Sequence, residues 1–128
     1  MTKKPPSFAP HHTSLEAILN DHKLASLGDA YVNFVYSLAL SKKKGEATGI
    51  KVSSQILSQA LKKAKLRKLL PQRMDRHMLG DAAEALIVYA WTQDAITIEE
   101  SVTMLSSSDN ATEAFTNLIL LAKEKLNL

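Results

Sequence analysis

The sequence predicts an all-α fold, and three observations support that prediction. Apolar residues make up 45% of the 128 residues, whereas glycine and proline occur only four times each, a composition that favours packed helices. Within several long segments the apolar residues recur at the three- and four-residue spacing of a helix face. Helix-capping residues precede most of these segments, while no alternating strand pattern and no Asn-Gly or Asp-Gly turn occurs.

The N-terminus is predicted to be an arm attached to one helical domain. Residues 1–12 contain three prolines and no apolar periodicity, which favours a flexible arm, and residues 13–128 have the length of a single domain. Thr13-x-x-Glu16 matches a capping box. This motif predicts a first short helix that ends at about Asn20.

The next segments predict two longer helices joined by a basic loop. From Asp21 to Leu40 apolar residues cover nearly every side of the helix, which predicts a central position in the fold. Residues 41–49 are expected to form the loop. Ser53 or Ser54 is expected to cap the third helix, and residues 66–70 to add a short turn.

Three further helices are predicted in the C-terminal half. A fourth, mostly apolar helix should run from about Arg76 to Thr92. Thr97-x-x-Glu100 is a second capping box, for a helix that ends near Ser106. The last helix should cover roughly residues 111–126.

Composition narrows the classes of protein to which the chain can belong. There is no cysteine, so disulfides and thiolate metal sites are excluded and any metal must be held by oxygen or histidine ligands. No uninterrupted apolar stretch reaches membrane-spanning length, and the N-terminus lacks the apolar core of a secretory signal. We therefore expect a cytoplasmic protein with no membrane partner and no small-molecule cofactor.

Charge is strongly segregated along the chain. Residues 42–76 contain eleven Lys and Arg against two acids, a net charge of +9, whereas residues 77–128 contain two Lys against eight acids, a net charge of −6. A basic segment of this size indicates a polyanionic partner. A solvated lysine-rich face is the equal alternative at this point.

The most informative motif is Leu-Gly-Asp-Ala, which occurs at residues 27–30 and again at residues 79–82. Both copies lie in apolar helical runs, so the acids Asp29, Asp81 and Glu84 are expected to be buried. Asp81 and Glu84 are three residues apart and share a helix face. A glycine in a helix interior costs about 1 kcal/mol relative to alanine, so we infer that the two helices cross at the two glycines of the motif.

Three converging carboxylates predict a site for a divalent cation. Buried charge is unfavourable unless it is paired or bound to a cation, and Mg²⁺ or Mn²⁺ prefers oxygen ligands while it retains several waters. Such an ion activates water and neutralises charge on a phosphate, so the pattern indicates phosphodiester hydrolysis. The alternative is that the three acids pair with Arg73, Arg76 or a lysine.

The histidines are less informative. His11 and His12 lie in the arm and are expected to have no role. His77 shares the helix face of Asp81, four residues before it, so it either contributes to the site or is a helix-initiating or core residue.

Taken together, these segments resemble the catalytic domain of ribonuclease III. Residues 24–33, Leu-Ala-Ser-Leu-Gly-Asp-Ala-Tyr-Val-Asn, are similar to the signature helix of that family, and residues 80–86, Gly-Asp-Ala-Ala-Glu-Ala-Leu, to its second acidic helix. Residues 49–54, Gly-Ile-Lys-Val-Ser-Ser, are similar to the start of its middle helix. The resemblance covers roughly residues 14–92 and implies the ribonuclease III endonuclease fold, an all-α helical bundle.

The resemblance also implies a function. Asp29, Asp81 and Glu84 would be the catalytic, metal-ligating acids of a Mg²⁺- or Mn²⁺-dependent endoribonuclease. The partner would be double-stranded or structured RNA, bound across a symmetric homodimer whose interface includes the signature helix. A-form RNA is recognised largely through phosphates and 2′-hydroxyls, and the candidate contacts for it are Lys42, Lys43, Lys44, Lys51, Lys62, Arg73, Arg76 and His77.

The chain departs from the family pattern in two ways. Family members usually carry a glutamate one turn before the signature aspartate, where this chain has Ala25. Either His22, His77 or a water compensates, or the metal is held more weakly, or the domain binds structured RNA without cutting it. In addition, only 36 residues follow Thr92, which resembles the compact ribonuclease III type without a double-stranded RNA-binding domain. An alternative interpretation is that the chain is a helical DNA-binding or adaptor protein. This interpretation leaves the three acids unexplained.

Overall fold

The structure, a computed structural model, describes residues 4–128 and is all-helical, with no strand in that range. Residues 1–3 of the predicted arm lie outside the described residues. The elements are α1 (Leu15–Leu19), α2 (His22–Lys44), α3 (Ser54–Lys63), a 3₁₀ turn (Arg67–Leu69), α4 (Arg76–Thr92), α5 (Ile98–Ser106) and α6 (Ala111–Leu126).

Local capping sets most helix starts where the sequence predicts them. Ser53 caps α3 by accepting from the Ile56 N–H, and Thr97 and Glu100 form the predicted capping box of α5. The capping box predicted at Thr13 is wrong. Ser14 caps α1 instead, through a 3.1 Å hydrogen bond from the Ala17 N–H to its hydroxyl.

Helix α2 is longer than predicted. It continues to Lys44 and ends at Gly45, which adopts the left-handed conformation (φ 74°) that glycine accepts without strain. Lys42, Lys43 and Lys44 therefore lie on the last helical turn and not in a loop. Their positive charges are attracted to the partial negative charge at the helix C-terminus, and this attraction stabilises the longer helix.

Helix α4 is the central helix, and the prediction that the second helix is central is wrong. Twelve of the 17 residues of α4 are buried, against seven of the 23 residues of α2, and α4 packs against α1, α2, α3 and α6. The outer side of α2 remains open to solvent although it carries large apolar residues: Leu27 is 38% exposed and Phe34 is 54% exposed.

His12, the last residue of the predicted arm, is anchored to the helical domain. The expectation that it has no role is therefore wrong. Its backbone N–H donates to the Tyr89 hydroxyl of α4 at 2.9 Å, and its Nε2 lies 2.8 Å from Oδ2 of Asp21. Asp21 also caps α2 by accepting from the Leu24 N–H. His12 thereby connects the end of the predicted arm to both α2 and α4.

No helix among residues 4–128 combines the length and the apolar character that crossing a membrane requires.

Candidate active site

Helices α2, α3 and α4 enclose a cleft of about 710 Å³. The three predicted acids line it together: Asp29 comes from α2, and Asp81 and Glu84 come from α4. The N-terminal end of α3 and the residues before it form the facing wall. The full lining is His22, Ala25, Ser26, Asp29, Lys51, Val52, Ser53, Ser54, Leu57, His77, Gly80, Asp81 and Glu84.

Gly28 brings α2 and α4 into contact beside this cleft. A Cβ added to Gly28 would lie 2.3 Å from the backbone carbonyl oxygen of Glu84 and 2.6 Å from its carbonyl carbon. No side chain fits in that space, so the predicted close approach at Gly28 is confirmed. The approach positions Asp29, the next residue along α2, beside Glu84.

Gly80 does not take part in this crossing. A Cβ added there would meet Leu57 of α3 at 3.6 Å and Ser54 at 3.7 Å, which are ordinary contact distances. The prediction that both glycines lie at one α2–α4 crossing is therefore wrong for Gly80. The two copies of the motif have the same sequence but face different helices.

Burial also distinguishes the three acids. Glu84 is only 5% exposed, whereas Asp29 and Asp81 are both exposed at the edge of the cleft. The prediction that all three are buried is wrong for the two aspartates. Glu84 faces inward because α2 covers it at Gly28, while Asp29 and Asp81 lie at the open side of the cleft.

The electrostatics of the cleft favour a bound cation. Burial, a hydrogen bond with Asp29 and the negative charges of Asp29 and Asp81 together raise the pKa of Glu84 to about 8. Burial is also the main reason that the pKa of Asp81 is raised, and the charge of Asp29 adds to it. Each effect disfavours the charged carboxylate. A cation between these groups would relieve all of them.

Basic side chains do not neutralise this cluster. Within residues 4–128, ion pairs form between His12 and Asp21 and between Lys43 and Asp109, and neither involves the cleft acids. Pairing of the acids with Arg73, Arg76 or a lysine, the alternative to a metal site, is not observed among these residues. The charge of Lys51 lowers the pKa of Glu84, but less than the other effects raise it.

The donor set fits a hydrated Mg²⁺. In the part of the chain that the structure describes, no three acidic or histidine side chains are already arranged to enclose a metal ion. Mg²⁺ does not require such a cage, because it commonly binds through one or two carboxylates and keeps several waters. Asp29 and Glu84, which are within hydrogen-bonding reach of each other, would be that pair, and Asp81 lines the same cleft.

Comparison with known families agrees with this geometry. The model of the family described as Ribonuclease III matches residues 22–125. The chain belongs to the ribonuclease III family. Among curated proteins no match is found. The match runs from the first residue of α2 into the last turn of α6, so α5 and α6 belong to the ribonuclease III domain.

Members of the ribonuclease III family act on double-stranded RNA and are generally Mg²⁺-dependent. In this chain, two of the predicted RNA contacts lie at the cleft. Lys51 lines its α3 side and His77 its α4 side. Lys62, Arg73 and Arg76 are exposed on the last turn of α3, on the segment before α4 and on the first turn of α4.

The three consecutive lysines do not line the cleft. Lys42 lies against α5 in a separate cavity that contains Ile98 and Glu99, and Lys44 is exposed. The Lys43 Nζ donates to the Ser108 carbonyl at 3.1 Å and to Asp109 Oδ1 at 3.2 Å. Of these three lysines, Lys43 therefore uses its ammonium group in a contact within the chain.

Sequence reasoning assigned no role to one residue that contacts a cleft acid. Asn33 contacts Asp29 but was not predicted to have a role, although Asn and Asp four residues apart on a helix are a recognisable hydrogen-bonding pair. His22 was considered only as a substitute for the missing glutamate. It lines the cleft, and its positive charge lowers the pKa of Asp81, opposing the effect of burial.

Proposed function

We propose that this protein is a divalent-metal-dependent endoribonuclease that hydrolyses phosphodiesters of double-stranded or structured RNA as a homodimer. One observation carries the proposal. Glu84 is buried at the α2–α4 crossing, it shares a hydrogen bond with Asp29, and it has no basic ion-pair partner among residues 4–128. Without a cation the raised pKa keeps a proton on Glu84 near neutral pH, and a divalent cation can take the place of that proton between the two carboxyl groups.

Each acid has a distinct part in the proposed site. Asp29 and Glu84 hold Mg²⁺ or Mn²⁺ from two helices, and Asp81 orients a water at the open edge. When bound, the ion supplies activation of a water for attack and neutralises charge that develops on the phosphate. Lys51, across the cleft from the acids, holds the phosphate that is to be cut as a point charge.

The exposed basic residues support binding along an RNA duplex. Arg73, Arg76, Lys62 and the helix-terminal Lys42 and Lys44 are solvent-exposed, so phosphates can reach them. Neutralising phosphates releases condensed counterions, and RNA affinity should therefore fall steeply as the salt concentration rises.

The homodimer is supported by the exposed apolar side of α2. Leu27 and Phe34, two turns apart, are 38% and 54% exposed, and Ile50 beside Phe34 is 44% exposed. Phe8, which shares a cavity with Leu27, is 63% exposed. Large apolar side chains grouped in this way mark an interaction surface. A twofold axis would pack this face against the same face of a second copy of the chain.

Phe34→Glu should convert the dimer to a monomer, because an isologous interface would bury two opposed carboxylates without partners. Analytical ultracentrifugation over a range of concentrations measures the change. Leu120→Glu is the matched control, since Leu120 is 43% exposed but lies on α6, and it should leave the dimer intact. A monomeric wild-type protein, or a Phe34→Glu protein that still dimerises, would contradict the proposed interface.

The direct test of the activity uses the purified protein and a long RNA duplex. Cleavage is expected with Mg²⁺ or Mn²⁺ and should stop when EDTA removes the metal. A DNA duplex of equal length is the control, and it should remain intact. An inert protein in both metals would exclude catalysis, and a preference for the DNA duplex would favour a DNA-binding role.

A ribonuclease III domain that binds structured RNA without cutting it is the second candidate, and Ala25 is the observation that favours it. Ala25 lines the cleft one turn before Asp29, where the resemblance implies a further acid. The site is therefore short of one carboxylate.

Ala25→Glu tests this alternative by restoring the acid. If the missing carboxylate limits the site, Mn²⁺ affinity and RNA cleavage should both rise, because another carboxylate strengthens binding of a hard cation. Titration of Mn²⁺ followed by electron paramagnetic resonance measures the affinity. Ser26→Glu is the control, since Ser26 also lines the cleft but lies about 100° around the helix from Ala25. Equal effects of the two variants would indicate a general charge effect.

A further inference from the structure

The side-chain amide of Asn33 connects two walls of the cleft. Its Nδ2 donates to Asp29 Oδ1 at 3.3 Å, one helical turn back along α2. Its Oδ1 accepts from the backbone N–H of Val52 at 2.8 Å, in the segment that precedes α3. Asn33 is half-buried and Val52 is buried, so both contacts form at the edge of the core.

The Val52 contact determines which way the amide points. An asparagine side chain has one accepting oxygen and one donating nitrogen. Because the oxygen of Asn33 is held by a backbone donor, the nitrogen has to face the opposite side, where Asp29 lies. The bond from this nitrogen engages Oδ1 of Asp29 and leaves Oδ2 without a contact to Asn33.

From this geometry we propose that Asn33 is a positioning residue of the metal site. It restricts the Asp29 carboxylate to an orientation in which it stays beside Glu84. The inference rests on the proposed metal-dependent function, because it assigns Asn33 to the orientation of a metal ligand. Residues that hydrogen-bond a metal ligand restrict its orientation, and their loss typically weakens metal affinity 10- to 100-fold.

The same side chain also anchors the backbone beside Lys51. Val52 directly follows Lys51 in the chain, and its N–H is the group that donates to Asn33. Ser37, one turn further along α2, anchors this segment without contacting an acid. Its hydroxyl donates to the Ile50 carbonyl at 3.2 Å and accepts from the Ile50 N–H at 3.0 Å.

Ser37 therefore provides a matched control for Asn33. Both side chains hold the 50–52 segment, but only Asn33 touches a cleft acid. The experiment compares the wild-type protein with Asn33→Ala, Ser37→Ala and Asp29→Asn. Binding of Mn²⁺ without RNA is measured by electron paramagnetic resonance, and thermal unfolding in EDTA is measured in parallel.

We expect Asn33→Ala to weaken Mn²⁺ binding about tenfold, and Ser37→Ala to leave it within about twofold of the wild-type value, with similar unfolding temperatures for both. Equal weakening in the two variants would overturn the proposal, since the segment and not Asp29 would then be responsible. Unchanged affinity in Asn33→Ala would overturn it as well. Asp29→Asn is expected to lose Mn²⁺ binding. If the wild-type protein also binds no Mn²⁺, the proposed function is excluded, and this inference fails with it.

A measurement on the unmutated protein keeps the proposal testable if Asn33→Ala does not fold. In ¹H–¹⁵N spectra, the side-chain amide signals of Asn33 should shift during a Mg²⁺ titration with the same midpoint as backbone signals of the cleft. Asn20 is the internal control, because its Nδ2 donates to the Glu16 carbonyl at 2.8 Å in α1, whose residues do not line the cleft. Asn33 signals that stay fixed while cleft signals shift would overturn the proposal.

Discussion

Glu84→Gln is expected to reduce metal-dependent RNA cleavage by about a thousandfold or more. Charge stabilisation by a catalytic metal supplies several kcal/mol, and each 1.36 kcal/mol corresponds to a tenfold change in rate. The substitution keeps the size of the side chain and removes the negative charge at the α2–α4 crossing. The measurement is the single-turnover cleavage rate of an RNA duplex at saturating Mg²⁺.

Unfolding would not account for that loss, because the substitution should stabilise the metal-free protein at alkaline pH. The pKa of Glu84 is raised from 4.5 to about 8 in the folded state, so the folded protein binds an extra proton between these values. The free energy of unfolding of the wild-type protein in EDTA should therefore decrease as the pH rises from 4.5 to about 8. The glutamine variant has no titrating group at this position, so its free energy of unfolding should depend less on pH. Urea unfolding at several pH values measures both dependences.

Glu16→Gln is the matched control for this prediction. Glu16 is exposed on α1 and does not line the cleft, so both its cleavage rate and its pH profile should remain those of the wild-type protein. A Glu84→Gln protein that cuts RNA at the wild-type rate would exclude Glu84 from the metal site, whatever its stability.

Gly28→Ala is expected to destabilise the protein by about 3 kcal/mol or more, at or beyond the upper end of the usual cost of overpacking a core. The added Cβ would lie 2.3 Å from a backbone oxygen of α4, and a backbone atom cannot rotate out of the way. Separating α2 from α4 would disrupt the most extensive helix contact of the domain. The gain in helix propensity from glycine to alanine, about 1 kcal/mol, offsets only part of this cost.

Gly80→Ala is the matched control, because Gly80 occupies the same position in the second copy of the motif. Its added Cβ would make ordinary contacts at 3.6 and 3.7 Å, so the propensity gain should dominate and stabilise the protein by up to about 1 kcal/mol. Urea unfolding of both variants gives the two free-energy changes. Changes of the same sign would contradict the difference in packing that the structure shows between the two glycines.

Local features of the sequence were sufficient to predict most of the helices. The cap of α3, the capping box at Thr97 and the bounds of α4 depend on residues within one or two turns of each other, so they can be recognised without knowledge of the fold. The errors at Thr13 and at the end of α2 are of the same local kind. At each place a neighbouring residue, Ser14 or Gly45, supplied the better cap.

The sequence by itself determined the all-α class, the two helices that carry the acids and the close approach at Gly28, because repeated motifs and helical spacing report on short-range geometry. Only the tertiary structure decided which acids are buried, that Gly80 faces α3, that α4 and not α2 is central, and that Asn33 contacts both Asp29 and Val52. These features depend on how helices that are separated in the sequence are placed around one another. Since an apolar helix face packs equally well against a core helix or a second subunit, the hydrophobic pattern of α2 could not show which of its sides would remain exposed.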